Sequence, residues 1–378
     1  MKEAPYSVLV VDDSALMRNL VGKIFESCEH TEVVGKAMNG RFALQKIDSL
    51  EPEVIVLDLE MPEMNGLEFL TERKKRGIDI PVVVLSSIAR KGAKVTMDAL
   101  ALGASDFVLK PSGSVSTDIH TVADQLTELA VNLGAAYRRK HGPRKATLST
   151  AAGTAVSKRT ATATTTPPAP EDAPFVPATR PSISPGPIDV VAIGISTGGP
   201  NALRKVFAQF SEALPAALLI VQHMPPGFTA EFARSLDKVG PMSVREAVDR
   251  EALEPGTALV APGDFHLTVE RTTAGYIARV QQEPPQNGHR PSADVLFKSV
   301  AEQCSKRALG VIMTGMGKDG AKQLGAILRA GGLTLGQDAA TSVVYGMPRV
   351  AAELGHVERQ VALHEVADAI SQLVAHYR

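Results

Sequence analysis

A serine, a histidine and an aspartate occupy comparable positions in the C-terminal half of the sequence. Ser196 lies in GISTGGP after the apolar run VVAI, His223 directly follows ALLIVQ, and Asp319 lies in the GMGKDG that follows LGVIMT. Each apolar run is typical of a buried strand, and parallel strands that alternate with helices gather ligands at their carboxyl ends. The three side chains could therefore share one crevice, as the nucleophile, base and orienting acid of a serine hydrolase do.

The turn that carries Ser196 allows three interpretations. Gly194, Gly198 and Gly199 permit a tight strand-to-helix turn, and the spacing matches the G-x-S-x-G pattern of a nucleophile elbow. A dinucleotide-binding loop fits less well, because serine replaces the middle glycine that lets pyrophosphate approach the backbone. A plain structural turn is the third alternative. The chain order serine, histidine, aspartate argues against an ordinary α/β-hydrolase, in which the acid precedes the histidine.

The histidine and the aspartate also have structural alternatives. His223 stands before Met224 and two prolines and could be a turn histidine, and Asp319 could cap the helix predicted to begin near Ala321. Each alternative is reasonable for one residue. Separate structural roles for all three residues, each at the end of a different strand, are a less reasonable explanation.

Longer motifs around these residues resemble one known family. GISTGGP, QHMPPGFT, HRPSAD, MTGMGKDGA and QDAATSVVYGMP are similar to the catalytic domain of the chemotaxis methylesterases usually called CheB. The resemblance implies Ser196 as the nucleophile, His223 as the base and Asp319 as the residue that orients the base. Thr197 and Met316 match positions that flank the site, where their backbone N–H groups are candidates for binding the oxyanion.

The family resemblance also implies an activity and its partners. We expect hydrolysis of glutamate methyl esters of chemoreceptors, with release of methanol, and deamidation of receptor glutamines, in sensory adaptation. No cofactor is expected for the ester hydrolysis. The motif HRPSAD (289–294) is predicted to border the site without a chemical role, VYGMP (344–348) to form another wall, and His266 to be structural.

The N-terminal half carries a second set of polar residues at predicted strand ends. Asp12 and Asp13 follow SVLVV, Asp58 follows VIVL, Ser86 follows VVVL, and Lys110 follows FVL. Converging carboxylates repel one another unless a cation lies among them, and oxygen ligands with open water positions suit Mg²⁺. A carboxylate beside Mg²⁺ can accept a phosphoryl group, whose oxygens a hydroxyl and a lysine can bind. A helix N-cap could explain the first two aspartates alone, but not the whole set.

This half resembles a response-regulator receiver domain over residues 6–126. The resemblance assigns family roles to the residues already singled out. It implies that Asp58 accepts phosphate from a histidine kinase, that Asp12 and Asp13, together with Asp58, bind the metal, that Ser86 is the switch hydroxyl, and that Lys110 pairs with the phosphate. Phe107, in DFVLKP, is the nearest residue to the family's usual switch aromatic. Mg²⁺ is accordingly expected for phosphorylation of the receiver.

The two halves predict two doubly wound, parallel-sheet α/β domains. We predict a flavodoxin-like receiver over residues 1–128, a flexible linker over 129–187 and a Rossmann-like catalytic domain over 188–378. The linker sequence, rich in Thr, Ala, Ser and Pro, cannot bury enough apolar surface to offset its ordering. A flexible stretch of roughly 45 residues spans about 35–40 Å, so the receiver could either cover the catalytic crevice or leave it.

The composition disfavours several classes of function. The 378 residues hold 40 basic and 41 acidic residues, so nothing indicates general nucleic-acid binding. No apolar run reaches the roughly 18 residues of a membrane span, and no signal peptide is evident. Cys28 and Cys304 lack metal-ligand spacing. We therefore expect a cytoplasmic protein, and the family resemblance implies that it is recruited to chemoreceptor clusters. A nucleotide-binding output, a DNA-binding regulator and a non-enzymatic scaffold are the alternatives.

Overall fold

The chain folds into two domains, each built on a parallel sheet that is covered by helices. The computed structural model describes residues 4–87, 90–110, 117–142, 175–179 and 181–378. The strands of the first domain are β1 (Tyr6–Val11), β2 (Thr31–Ala37), β3 (Val54–Asp58), β4 (Val82–Ser86) and β5 (Asp106–Leu109), and its helices are α1 (Ala15–Glu26), α2 (Gly40–Leu50), α3 (Gly66–Lys75), α4 (Arg90–Ala101) and α5 (Thr117–His141).

The first sheet is parallel with the order β2-β1-β3-β4-β5. Its central strands are apolar along their length because helices cover both faces of the sheet. The strand order reverses between β1 and β3, which opens a crevice at their carboxyl ends. Asp12 directly follows β1, and Asp58 is the last residue of β3. The topology therefore brings these two carboxylates to the same edge.

The second domain has a larger sheet. Its strands are β6 (Val190–Ile195), β7 (Ala217–Gln222), β8 (Ser243–Glu246), β9 (Thr257–Val260), β10 (His266–Thr272), β11 (Gly275–Gln281), β12 (Ala308–Ile312), β13 (Leu333–Gln337) and β14 (Arg359–Val361), and its helices are α6 (Gly199–Gln209), α7 (Phe228–Leu236), α8 (Ala293–Cys304), α9 (Ala321–Arg329), α10 (Met347–Glu353) and α11 (Val366–His376). Seven strands are parallel in the order β14-β13-β12-β6-β7-β9-β8, and β10 and β11 form an antiparallel hairpin. The predicted fold class, two doubly wound parallel sheets, is confirmed.

The predicted linker is too long at its N-terminal end. Helix α5 continues past residue 128 to His141. The reason is visible in the spacing of Leu126, Leu129, Ala130 and Leu133, which are all buried against the sheet of the first domain. Apolar residues at i, i+3, i+4 and i+7 form one face of a helix, so this face continues the receiver core beyond the predicted boundary.

The linker is also too long at its C-terminal end. The backbone N–H of Ala178 donates to the Val357 carbonyl (2.9 Å), and that of Gly186 donates to the Lys306 carbonyl (2.9 Å). Phe175 packs against the apolar core of the second domain. The end of the predicted linker is therefore part of the catalytic domain's surface. The central part, 143–174, lies outside the described residues.

The basic end of α5 is folded onto the receiver. Arg138 forms two hydrogen bonds with the Glu53 carboxylate, both 2.6 Å long, and its guanidinium lies 4.1 Å from the centre of the Tyr6 ring. Lys140 and His141 contact Asp79 at 2.7 and 2.8 Å. These contacts attach the last turns of the helix to the rest of the receiver. Within the described ranges, no helix is long and apolar enough to cross a membrane.

The receiver lies over the carboxyl edge of the second sheet. Helix α4 packs against α7, and the Phe107 ring stacks on the Phe228 ring with centroids 5.0 Å apart. The Asp106 carboxylate accepts the Gly198 N–H at 2.8 Å, and the Asn201 carboxamide donates to the Ala104 carbonyl. The contact combines apolar packing with hydrogen bonds to the turn at the start of α6.

Candidate active site and phosphorylation site

The three predicted side chains meet at the carboxyl edge of the second sheet. Strand β6 lies between β12 and β7, so the turns that follow these three strands are neighbours. The His223 Nδ1 atom is 3.0 Å from the Ser196 hydroxyl, and its Nε2 atom is 2.8 Å from an Asp319 carboxylate oxygen. A carboxylate can only accept here, so the tautomer that fits this network carries its hydrogen on Nε2 and accepts the serine proton at Nδ1.

The turn at Ser196 is fixed by backbone hydrogen bonds. The Ser196 N–H donates to the Thr314 carbonyl (3.0 Å), and the Ser196 carbonyl accepts the Gly199 N–H (2.8 Å). Gly198 has a φ of +75°, in the left-handed region that favours glycine. At Gly199, a Cβ atom would lie 2.0 Å from the Gln222 Oε1 atom. The glycines of the motif are thus explained by backbone geometry and by a close side chain.

The Asp319 carboxylate lies at the N-terminus of helix α8. It accepts hydrogen bonds from the Ser292 hydroxyl (2.6 Å), the Ala293 N–H (2.6 Å) and the Asn287 carboxamide (3.0 Å). Burial raises the pKa of Asp319, but the hydrogen bonds from His223, Ser292 and Asn287 outweigh it and hold the pKa below its usual value. The carboxylate therefore stays ionised beside the imidazole.

The motif HRPSAD has a larger part in the site than predicted. The sequence indicated a loop without a chemical role, but Ser292 and Ala293 are among the donors that hold Asp319. The available signal is a serine directly before a helix, where free N–H groups bind anions. Its ligand was not visible, because Asp319 follows a strand that lies later in the chain.

His289, in the same motif, lies flat against the His223 ring. The two ring centroids are 3.8 Å apart and the planes differ by 10°. Burial lowers the pKa of His289 to about 4, and the neighbouring His223 acts in the same direction. The His289 ring is consequently neutral near pH 7 and covers one face of His223. The prediction that His266 is structural stays a prediction; its Nε2 atom lies 3.1 Å from the Pro284 carbonyl oxygen.

A cavity of about 580 Å³ lies between the two domains. Thr197 and Met316, the predicted flanking residues, line it together with Ser196 and His223. On the receiver side it is lined by residues of strand β5 and helix α5, Phe107 among them. The receiver therefore roofs the crevice that contains the serine and the histidine.

The receiver's predicted metal ligands lie together. Asp12, Asp13 and Asp58 each offer one carboxylate oxygen, and these atoms all lie within 4.8 Å of one another. This donor set fits Mg²⁺, which prefers oxygen ligands and keeps several waters. The Lys110 ammonium is 2.8 Å from Asp58 and 3.2 Å from Asp12. Burial raises the pKa of Asp58, although Lys110 acts in the opposite direction.

Ser86, the predicted switch hydroxyl, is engaged away from the carboxylates. Its Oγ atom lies 2.6 Å from the Thr96 hydroxyl in helix α4, and Thr96 in turn donates to the Gly92 carbonyl (2.7 Å). Ser86 and Thr96 are both buried. The hydroxyl beside the phosphorylation site is thus bonded to the helix that contacts the catalytic domain. The sequence motif did not predict this contact.

Comparison with known proteins agrees with this two-domain arrangement. The profile described as CheB methylesterase matches residues 191–370, and that of the response regulator receiver domain matches residues 8–120. A protein-glutamate methylesterase/protein-glutamine glutaminase of Treponema denticola is 52% identical over 370 residues, covering 97% of each chain. The enzyme of the same name from Treponema pallidum is 46% identical over 391 residues, covering 97% of this chain and 96% of that one.

A solved structure matches the second domain. The crystal structure of the Thermotoga maritima CheB methylesterase catalytic domain is 35% identical, with a TM-score of 0.49, and covers 50% of this chain and 99% of that chain. The assignment itself follows from the near-complete coverage of the relatives at these identities. The chain belongs to the protein-glutamate methylesterase/protein-glutamine glutaminase family, with an N-terminal receiver domain and a C-terminal CheB methylesterase domain.

Proposed function

We propose that the chain is a phosphorylation-controlled serine hydrolase that demethylates glutamate methyl esters of chemoreceptors and deamidates receptor glutamines. The observation that carries the proposal is the hydrogen-bonded series from the Ser196 hydroxyl through His223 to Asp319. The names of the Treponema relatives support the choice of substrate. Such an enzyme acts in the cytoplasm, where it is recruited to chemoreceptor clusters and serves sensory adaptation.

Acylation starts with the serine. The His223 Nδ1 atom takes the Ser196 proton as the hydroxyl oxygen attacks the γ-carbonyl of the substrate side chain. The Asp319 carboxylate, bonded to Nε2–H, orients the ring and stabilises the imidazolium that forms. The imidazolium then protonates the leaving group, so that methanol departs from an ester and ammonia from an amide. The product of this half-reaction is an ester of the receptor side chain with Ser196.

Deacylation repeats these steps with water. His223 removes a proton from a water molecule that attacks the acyl group, and it returns the proton to the Ser196 oxygen as the glutamate leaves. In both half-reactions a negative charge develops on the carbonyl oxygen. The backbone N–H groups of Thr197 and Met316 bind this oxyanion in our proposal, and one such donor contributes about 10²–10³ to the rate in other enzymes.

Phosphorylation controls access to the serine. Residues of the receiver line the cavity that contains Ser196, and in our proposal they hinder the approach of a receptor segment to the serine. Asp58 takes the phosphoryl group from a phosphohistidine of a histidine kinase, so that the P–N bond breaks as the aspartyl phosphate forms. Asp12, Asp13 and Asp58 would hold the metal, and Ser86 and Lys110 bind the phosphoryl oxygens. Bound Mg²⁺ would neutralise the charge that accumulates during this transfer. The modification shifts the population towards an open form.

Release of labelled methanol from methylated receptors tests the proposal. We expect release by the wild-type chain, a rise after addition of acetyl phosphate and Mg²⁺, and no release above background by Ser196→Ala. The variant Asp58→Asn should keep the basal rate without the rise. Near-wild-type release by Ser196→Ala would refute the nucleophile, and a normal response of Asp58→Asn would refute the regulation.

A further inference from the structure

Gln222 joins the backbones of the nucleophile and the base. It is the last residue of β7 and only 3% exposed. Its Nε2 atom donates to the Ser196 carbonyl (2.9 Å) and to the His223 carbonyl (3.2 Å). Because both partners are acceptors, this end of the carboxamide must be the nitrogen. The Gln222 side chain therefore connects the turn that carries Ser196 with the turn that carries His223.

The other end of the carboxamide lacks a hydrogen bond. The Gln222 Oε1 atom is buried and has no partner in the described part of the chain. It lies over Gly199, where a Cβ atom would be only 2.0 Å away. An unpaired buried carbonyl oxygen is destabilising and offsets part of what the two donated hydrogen bonds contribute. An unsatisfied group of this kind points to a role other than stability.

The hydrogen bonds to Ser196 fix the orientation of the next amide group. The Ser196 carbonyl accepts both the Gln222 carboxamide and the Gly199 N–H (2.8 Å). The peptide unit is planar and trans, so the Thr197 N–H points away from that carbonyl. On the other side, the Thr197 carbonyl accepts the Thr314 hydroxyl (2.9 Å). The peptide units on both sides of Thr197 are thus held, and Thr197 lines the cavity beside Ser196.

We infer that Gln222 is a positioning residue, which holds the Ser196–Thr197 peptide unit so that the Thr197 N–H is directed at the oxyanion. This inference rests on the proposed function and deepens it. A donor that is already oriented needs no rearrangement when charge develops, and this is how fixed dipoles accelerate acyl transfer. Loss of the side chain should therefore affect the transition state more than substrate binding.

Two substitutions in the full-length chain test the inference, with acetyl phosphate and Mg²⁺ present. Gln222→Met keeps the length of the side chain but removes the donor, and we expect kcat for methanol release to fall about tenfold with KM nearly unchanged. Gln222→Glu turns acceptor oxygens towards two carbonyls, and we expect a fall of about 100-fold. The pH midpoint of kcat/KM should stay the same in Gln222→Met, because His223 keeps Ser196 and Asp319 as partners.

A transition-state analogue separates positioning from loss of stability. A glutamate-derived trifluoromethyl ketone, which forms a tetrahedral adduct with serine, should bind more weakly to Gln222→Met by the same factor by which kcat/KM falls. The control is Thr334→Val at the opposite end of strand β13. It removes the hydroxyl that donates to the Glu358 carboxylate and accepts the Glu358 N–H, and it leaves the bond from the Thr334 N–H to that carboxylate in place. It should lower Tm and leave kcat unchanged.

The outcomes distinguish this inference from the proposed function. Wild-type kcat in Gln222→Met, or a fall in kcat without weaker binding of the ketone, would overturn the inference alone. Absence of methanol release from the wild-type chain would overturn the proposed function and the inference together. Parallel losses of kcat/KM and ketone affinity in both Gln222 variants, with a normal rate in Thr334→Val, would support the inference.

Discussion

The Asp106 carboxylate of the receiver accepts the Gly198 N–H at 2.8 Å, two residues after Ser196. Asp106 also accepts the N–H of Phe107, and it is buried at the contact between the domains. Burial raises the pKa of Asp106 to about 6, although both N–H groups favour the ionised form. A titratable group of the receiver therefore bears directly on the turn that carries the candidate nucleophile.

The first prediction concerns the pH dependence of this contact. In the open form Asp106 should titrate near its ordinary pKa of about 4, so the closed form binds more protons between pH 4 and 6. Protonation of Asp106 therefore stabilises the closed form. This stabilisation is complete below the ordinary pKa and is lost as pH rises through about 6. We expect the ratio of closed to open molecules to rise about fourfold as the pH falls from 7.5 to 5.5. Small-angle scattering should then give a smaller radius of gyration at pH 5.5.

Asp106→Asn supplies the control for this measurement. Asparagine cannot ionise, so the ratio of closed to open molecules of this variant should not change over the same pH interval. A pH-dependent compaction of equal size in Asp106→Asn would contradict the assignment and would place the titrating group elsewhere.

A second prediction separates the two properties of His289, its flat ring and its nitrogens. The low pKa of His289, about 4, keeps the ring neutral from pH 6 to pH 8, so its part is to cover the His223 ring. His289→Phe preserves a flat ring, and we expect kcat/KM to stay within about threefold of wild type. His289→Ala exposes His223 to water and should cost about tenfold. Equal losses in both variants would indicate that a His289 nitrogen takes part in the reaction.

The positions of the candidate catalytic and phosphorylation residues were accessible from sequence for a physical reason. Parallel strands end at one edge of a sheet, so a polar residue after an apolar run is carried to that edge whatever the length of the connection. This rule brought Ser196 and His223 together, and in the receiver it did the same for Asp12 and Asp58. It requires only the ends of the strands, which apolar runs mark clearly.

The supporting contacts could not be predicted in this way. Ser292 donates to Asp319 from the start of a helix, and Thr96 bonds to Ser86 from the middle of one. In both cases the sequence shows an ordinary helix residue, and its partner is set by how helix and sheet pack. The extension of α5 was different, because the spacing of Leu126, Leu129 and Leu133 carried the signal. The predicted linker boundary at residue 129, which was based on composition, therefore lies too early in the chain.

A third prediction uses the bond between Ser86 and Thr96. Thr96 gives its own proton to the Gly92 carbonyl (2.7 Å), so it accepts from Ser86 at 2.6 Å, whereas the other acceptor near the Ser86 hydroxyl, the Ser87 carbonyl, is farther away at 3.2 Å. To donate to a phosphoryl oxygen on Asp58, the Ser86 hydroxyl must leave Thr96. Thr96→Val removes this competing bond, worth about 1 kcal/mol, and should favour the phosphorylated arrangement by about fivefold. Half-maximal methanol release should then need about fivefold less acetyl phosphate.

The matched variant for this test is Thr96→Ser. It keeps the hydroxyl, so its response to acetyl phosphate should resemble that of wild type. A requirement for as much phosphodonor in Thr96→Val as in wild type would show that the bond does not restrain Ser86.

The fourth prediction is that chelation separates the two sites. The carboxylates that fit a divalent cation are Asp12, Asp13 and Asp58 in the receiver, whereas the proposed hydrolytic steps use a hydroxyl, an imidazole and one carboxylate already held by hydrogen bonds. EDTA should abolish the rise in methanol release after acetyl phosphate and leave the basal rate unchanged. In Asp13→Asn, at an exposed position, methanol release should rise after acetyl phosphate only at raised Mg²⁺ concentration, because one ligand is weakened. A basal rate that falls with EDTA and returns with Mg²⁺ would instead assign a metal requirement to hydrolysis itself.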